Sequence, residues 1–145
     1  MPEKETIKRA REDAREGKSS STQAGEFVRE EIHHVREGKH GARSPQQAIA
    51  IGLSKARRAG VKLGVPKGPA SVRKKAEEDL DAGKHPRHKR SRTRSRAVSS
   101  ALKRESKRSA SRQAVSRQAK ISSAKRGKRA RSLAAVKAAR TRKAA

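Results

Sequence analysis

Phe27 is the only Phe, Tyr or Trp in this chain. Aromatic and large aliphatic side chains supply most of the area a small domain buries, and without them the entropy of ordering the backbone goes largely unmatched. Apolar residues make up 30% of the 145, and many are Ala. Such a chain supports a small core over part of its length and leaves the remainder outside it. There is no Cys, so no disulfide or thiolate-bound metal can staple that core.

The second constraint is charge. The chain carries 41 Lys and Arg against 14 Asp and Glu, a net +27. A polycation of this strength repels itself and calls for a polyanionic partner, for which nucleic acid is the first candidate. The longest apolar stretch, Ala48-Ile49-Ala50-Ile51-Gly52-Leu53, is far too short to span a membrane, and the start of the chain carries Glu3, Lys4 and Glu5 rather than a signal peptide. The expected location is the cytoplasm, at the nucleoid.

The charge is unevenly spread. Residues 1–84 hold 19 Lys/Arg and 13 Asp/Glu, whereas residues 85–145 hold 22 Lys/Arg and one acid, Glu105. A mainly α protein is expected: a small helical module over 1–84, built on an antiparallel helix pair with peripheral helices, then a basic tail over 85–145 that is disordered or conditionally helical.

Helix punctuation recurs within the module. Glu3 to Glu16 is rich in helix formers and stops at Gly17, but Ile7 is its only large apolar residue beyond Met1, so it is expected to be frayed or peripheral. Ser20 and Gln23 form a capping box for a helix from about Thr22 to Glu37 with Ala24, Phe27, Val28, Ile32 and Val35 on one face, closed by Gly38. Ser44, Pro45 and Gln47 open a helix that reaches Ala59 and stops at Gly60. Its apolar face comprises Ile49, Leu53 and Ala56, and the small residues Ala48, Gly52 and Ala59 beside them admit close approach of another helix. Residues 61–69 contain Gly64, Pro66, Gly68 and Pro69 and read as a flexible loop; Ala70 to Ala82 reads as a short helix ended by Gly83.

In the tail, Ser, Arg, Lys and Ala dominate. Like charges at helical spacing repel and nothing is available to bury, so disorder is expected in isolation. The pentad Ser111 to Val115 is echoed by Ser116 to Lys120, and Ser132 to Arg140 is rich in Ala, which would favour short helices once phosphates neutralise the cations. The residues expected to bind phosphate are Arg87, Lys89, Arg90, Arg92, Arg94, Arg96, Lys103, Arg104, Lys107, Arg108, Arg112, Arg117, Lys125, Arg126, Lys128, Arg129 and Arg131. Lys55, Arg57, Arg58 and Lys62 form a second candidate patch on the module, for which pairing with a helix dipole is an equal explanation.

The stretch Ser21 to Ile32 (Ser-Thr-Gln-Ala-Gly-Glu-Phe-Val-Arg-Glu-Glu-Ile), with Gly38 to Ser44 and Gln46 to Val61, resembles a family of small basic bacterial proteins, a domain of unknown function often labelled DNA-binding. The resemblance implies binding to DNA and brings no catalytic or contact residues with it. The tail is similar in composition to the Lys/Ala-rich tails of linker-histone-like bacterial proteins, but has Ser-Arg in place of their Pro-Ala-Lys-Lys repeats.

Other constellations are weaker. Two groups of histidines invite a metal reading, His33 and His34 with His40, and His85 with His88; but the adjacent His33 and His34 point to different sides of a helix, His85 and His88 lie in a flexible cationic stretch, and with no Cys to complete a set no metal is expected. The acids Glu77, Glu78, Asp79 and Asp81 are expected to compete with DNA for the tail rather than to catalyse. No nucleophile, base and orienter recur, and no phosphate-cradling glycine spacing is present, so the chain is expected to be a non-enzyme without cofactor. The function expected is sequence-nonspecific binding of duplex DNA through its phosphates by a nucleoid-associated, histone-like architectural protein; the alternative is a ribosome-associated or general RNA-binding protein. The apolar helix faces could also meet between two chains, giving a homodimer.

Overall fold

The computed structural model describes residues 2–85 and 91–144. Among these the protein is mainly helical, with no strand: α1 (Lys4–Arg15), α2 (Ser20–Glu37), α3 (Pro45–Arg58), α4 (Ala70–Lys84), α5 (Arg92–Lys103), a 3-10 turn at Lys107–Ala110, α6 (Arg112–Lys125) and α7 (Gly127–Ala144). They divide into two compact units, one ending at Ala110 and the other running from Ser111. The drop in acidic charge read from the sequence falls earlier, near residue 85.

The first unit is organised by α2 and α3. Ser19, one residue earlier than expected, caps α2 by accepting from the Thr22 N–H at 3.4 Å, while Gln23 Nε2 reaches back to the Lys18 carbonyl at 2.9 Å. Gly38 ends α2 in the left-handed region at φ 79°. Ser44 caps α3 through the Gln47 N–H at 3.2 Å, and Pro45 takes the first helical position.

The antiparallel run of α2 and α3 follows from their shared core. Near one end Phe27 and Ala24 cluster with Ala56 and Val61; near the other Val35 clusters with Ala42, Ala48 and Ala110. Between them Gly52 crosses α2 so closely that a Cβ there would lie 2.7 Å from Val28 Cα and 3.0 Å from the Phe27 carbonyl oxygen. The buried face of α3 is thus the small stripe Ala48, Gly52 and Ala56. Ile49 and Leu53 flank it half-buried, while Ala59 is exposed.

Two local expectations change. First, α1 is docked onto α2: Thr6 and Ala10 are buried, Ile7 packs on the core, and polar contacts hold the rest. Arg9 Nε donates to Glu26 at 2.7 Å, and the Glu3 N–H donates to Glu30 at 3.2 Å. Second, Gly83 does not stop α4, which continues to Lys84. Its missing side chain serves a contact instead, because a Cβ at Gly83 would overlap the Arg57 carbonyl.

The expectation of a disordered basic tail is corrected: apart from short joints, residues 91–144 are helical. Ser91 and Ser111 each cap a helix, accepting from the Arg94 N–H at 3.4 Å and the Ala114 N–H at 3.2 Å. Ala, Arg, Lys, Gln and Leu are strong helix formers, Gly127 at φ 73° is the only glycine beyond Gly83, and Pro86 is the last proline. The cations are distributed around these helices and exposed to water, which screens their repulsion.

Part of this basic stretch completes the first unit's core. Ala110 is fully buried against Val35, Ala42 and Ala48, and its carbonyl accepts from Arg36 Nε at 2.7 Å. Gly41 and Ala42 donate to the carbonyls of Leu102 and Ser106 at 2.8 and 3.1 Å.

Candidate nucleic-acid interface

Helix α5 places Arg92, Arg96 and Lys103 on one face, since their offsets of four and eleven residues are close to one and three turns. On α6 the cations are Arg112, Arg117, Lys120 and Lys125. On α7 they run from Lys128 to Lys143 and face all round: Lys128 and Lys137, nine residues apart, stand on opposite sides.

All the phosphate-binding candidates from Arg92 to Arg131 are exposed. Arg87, Lys89 and Arg90 lie outside the described residues, as does His88. Among the described residues, no cation beyond Lys75 enters an ion pair. The scarcity of local acid is the cause: the only one in residues 85–145, Glu105, faces Arg43 at 3.8 Å.

The four module candidates behave differently. Lys55 reaches Glu31 at 2.6 Å and Glu30 at 3.6 Å, both on α2. Arg57 is 8% exposed and its Nη2 donates to the Gly64 carbonyl at 3.4 Å. Arg58 Nε donates to Asp79 at 2.7 Å. Lys62 alone of the four is exposed without an ion pair. The structure therefore does not gather them into one outward patch.

Asp79, one of the four acids expected to compete for the tail, is buried on α4. It accepts from Ser54 Oγ at 2.6 Å and Arg58 at 2.7 Å, with Lys75 at 3.3 Å. Burial by itself would raise its pKa, but these hydrogen bonds and the charges of Arg58 and Lys75 outweigh it and hold the carboxyl below its usual value.

A polar layer missed by sequence reasoning lies between α1, α2, α3 and the loop after α2. Glu31 is fully buried and Glu30 is 5% exposed. His34 Nε2 lies 2.9 Å from Glu3 Oε1, and His40 Nε2 lies 3.2 Å from Glu31 Oε1. The hydrogen bonds to His34 and then Lys39, with the Lys39 charge, lower the Glu3 pKa. Glu31, His34 and His40 each bring one donor atom within 4.8 Å of the others, whereas His33 points outward. The spacing Glu31-x-x-His34, one helical turn, was the available signal; what hid the rest was that Gly38 turns the chain so that His40 returns to α2.

A family model described as a family of unknown function, DUF6496, matches residues 15–68. That span covers α2, α3 and the chain that follows, including the polar layer except Glu3. No curated protein and no solved structure matches the chain. No helix among the described residues is long and apolar enough to cross a membrane.

Proposed function

We propose that this protein binds duplex DNA through the phosphate backbone without reading its sequence, as a nucleoid-associated, histone-like architectural protein. The observation that carries the reading is the segregation of charge. Acids of α1 to α4 pair with cations of the same stretch, as in Arg9 with Glu26, Lys55 with Glu31 and Arg58 with Asp79, while the cations of α5, α6 and α7 are exposed and enter no ion pair among the described residues. Unpaired cations are the ones that release counterions from DNA when they bind.

The form of the helices supports bridging as well as coating. Helix α7 has 18 residues, about 27 Å at 1.5 Å per residue. Duplex DNA presents one charge per roughly 1.7 Å, about 16 over that length, so the helix cannot neutralise the duplex alongside it. With Lys128 and Lys137 on opposite sides, it can instead touch two duplexes at once. No Tyr or Trp offers a platform for stacking bases, and Phe27 is buried, which favours a duplex over single strands.

The test is fluorescence anisotropy on unrelated duplexes across a salt series, for the full chain and for a variant with Arg126, Lys128, Arg129 and Arg131 changed to Gln. If about eight phosphates are contacted, the log-log slope is about −7, and the variant's slope is shallower by about 3 to 4. An unchanged slope, or a large preference for structured RNA in competition, overturns the proposal.

A further inference from the structure

We propose that Glu31, His34 and His40 form a binding site for a zinc-class divalent cation that ties the loop after α2 back onto that helix. This stands apart from the DNA reading, since none of the three is among the phosphate-binding candidates.

His40 Nδ1 lies 3.0 Å from the Gly41 carbonyl oxygen, which can only accept, so in the neutral ring the proton sits on Nδ1. Its Nε2 lone pair is then left without a donor, 3.2 Å from Glu31 Oε1, another acceptor, with no hydrogen bond between them. Two acceptors this close and shielded from water are unfavourable unless a positive centre lies beside both. Similarly, His34 Nε2 is 2.9 Å from the Glu3 carboxylate, which places its proton there and leaves the lone pair on Nδ1, 3.9 Å from Glu30 Oε1, to coordinate.

Both rings thus carry the supporting contacts typical of metal-bound imidazoles, one to a backbone carbonyl and one to a carboxylate. Glu31 supplies the charge. Its side chain is 1% exposed, and neither oxygen has a hydrogen bond of good geometry, although Lys55 Nζ approaches Oε2 within 2.6 Å.

The spacing suits a small ion. Donors held about 2.0 Å from a tetrahedral centre stand roughly 3.3 Å apart, matching the 3.2 Å between His40 and Glu31. One ligand atom from each of the three residues lies within 4.8 Å of the others, and rotation of the His34 side chain closes the set. Two imidazoles and one carboxylate suit Zn2+ over Mg2+ or Ca2+, which prefer all-oxygen sites. The fourth position is left for water.

The experiment is calorimetric titration of the metal-free full chain with ZnCl2, alongside His40→Ala, His34→Ala, Glu31→Gln and His33→Ala, each checked by far-UV circular dichroism. One saturable equivalent is expected, weakened at least tenfold in the first three variants and unchanged in His33→Ala. Glu3→Gln, which removes no ligand but weakens the support for His34 along with the pair to Lys39, weakens binding about tenfold. If a ligand variant fails to fold, Co2+ added to the unaltered chain decides: intense four-coordinate visible absorption supports the site, and the weak spectrum of hydrated Co2+ overturns it. No saturable uptake, or equal uptake by foldable His34→Ala and His40→Ala variants, also overturns it.

Discussion

Arg58 Nε donates to Asp79 Oδ1 at 2.7 Å, clamping the last turn of α3 to α4 with an acid that is 2% exposed. Removing the acid leaves Arg58 and the Ser54 hydroxyl with weaker partners, so Asp79→Asn should destabilise the first unit by about 1–3 kcal/mol at neutral pH. Because the folded-state pKa of Asp79 is depressed, its contribution is complete above the unfolded value, about 3.9, and is lost as pH falls through the folded value. The gap between wild type and Asp79→Asn in urea denaturation should therefore be constant near neutrality and close only below about pH 4.

Gly52 tests the close crossing of α2 and α3. A β-branched side chain there must displace Val28 backbone, not a flexible tip, so Gly52→Val should cost about 1–3 kcal/mol or more despite Gly being a poor helix former. Gly25, on the exposed side of α2 with nothing near it, is the control: Gly25→Ala should be neutral or stabilising by up to about 1 kcal/mol. Thermal melts of the two variants check this.

Ala110 reports whether the basic segment completes the core. Ala110→Asp puts a charge into a fully buried site beside Val35, Ala42 and Ala48, and should release the 3-10 turn. Limited trypsin digestion reads the outcome directly, since Lys103, Arg104, Lys107 and Arg108 lie just ahead of it. Faster cleavage there in the variant is expected; an unchanged pattern would mean the segment is not held by Ala110.

The helicity of α7 rests on propensity alone, so one break should be expensive. Ala135→Pro removes a backbone donor and disfavours the helix by about 3 kcal/mol, and the far-UV signal at 222 nm should fall by about the share of one interrupted helix. Equal ellipticity in the two chains would argue against a helical C-terminus in solution.

These tests also mark where sequence was informative. Helices α2 and α3 were legible because capping, periodicity and a following glycine agree, as at Ser44, Pro45 and Gly60. Gly83 misled because a glycine before a cation marks a stop only when the backbone turns left-handed, and here close packing against Arg57 required it instead. The tail was misjudged by weighing repulsion above propensity, although the Ser91 and Ser111 caps were present in the sequence. Least visible were partners distant along the chain: the burial of Ala110 and the approach of His40 to Glu31 depend on tertiary placement that no local pattern encodes.

From Ser111 to Lys143 no described side chain is buried. A position without a neighbour to fit has no shape to keep, so exchange of one exposed Arg for Lys leaves little to repack, whereas Ser111 must stay to cap α6. What most of this stretch has to keep is its charge and its share of helix formers. In the first unit, by contrast, Gly52 and Gly83 meet backbone at close range, so at those positions the spelling itself is held. The molecule thus joins a text with letters that cannot be exchanged to one carried mostly by its composition.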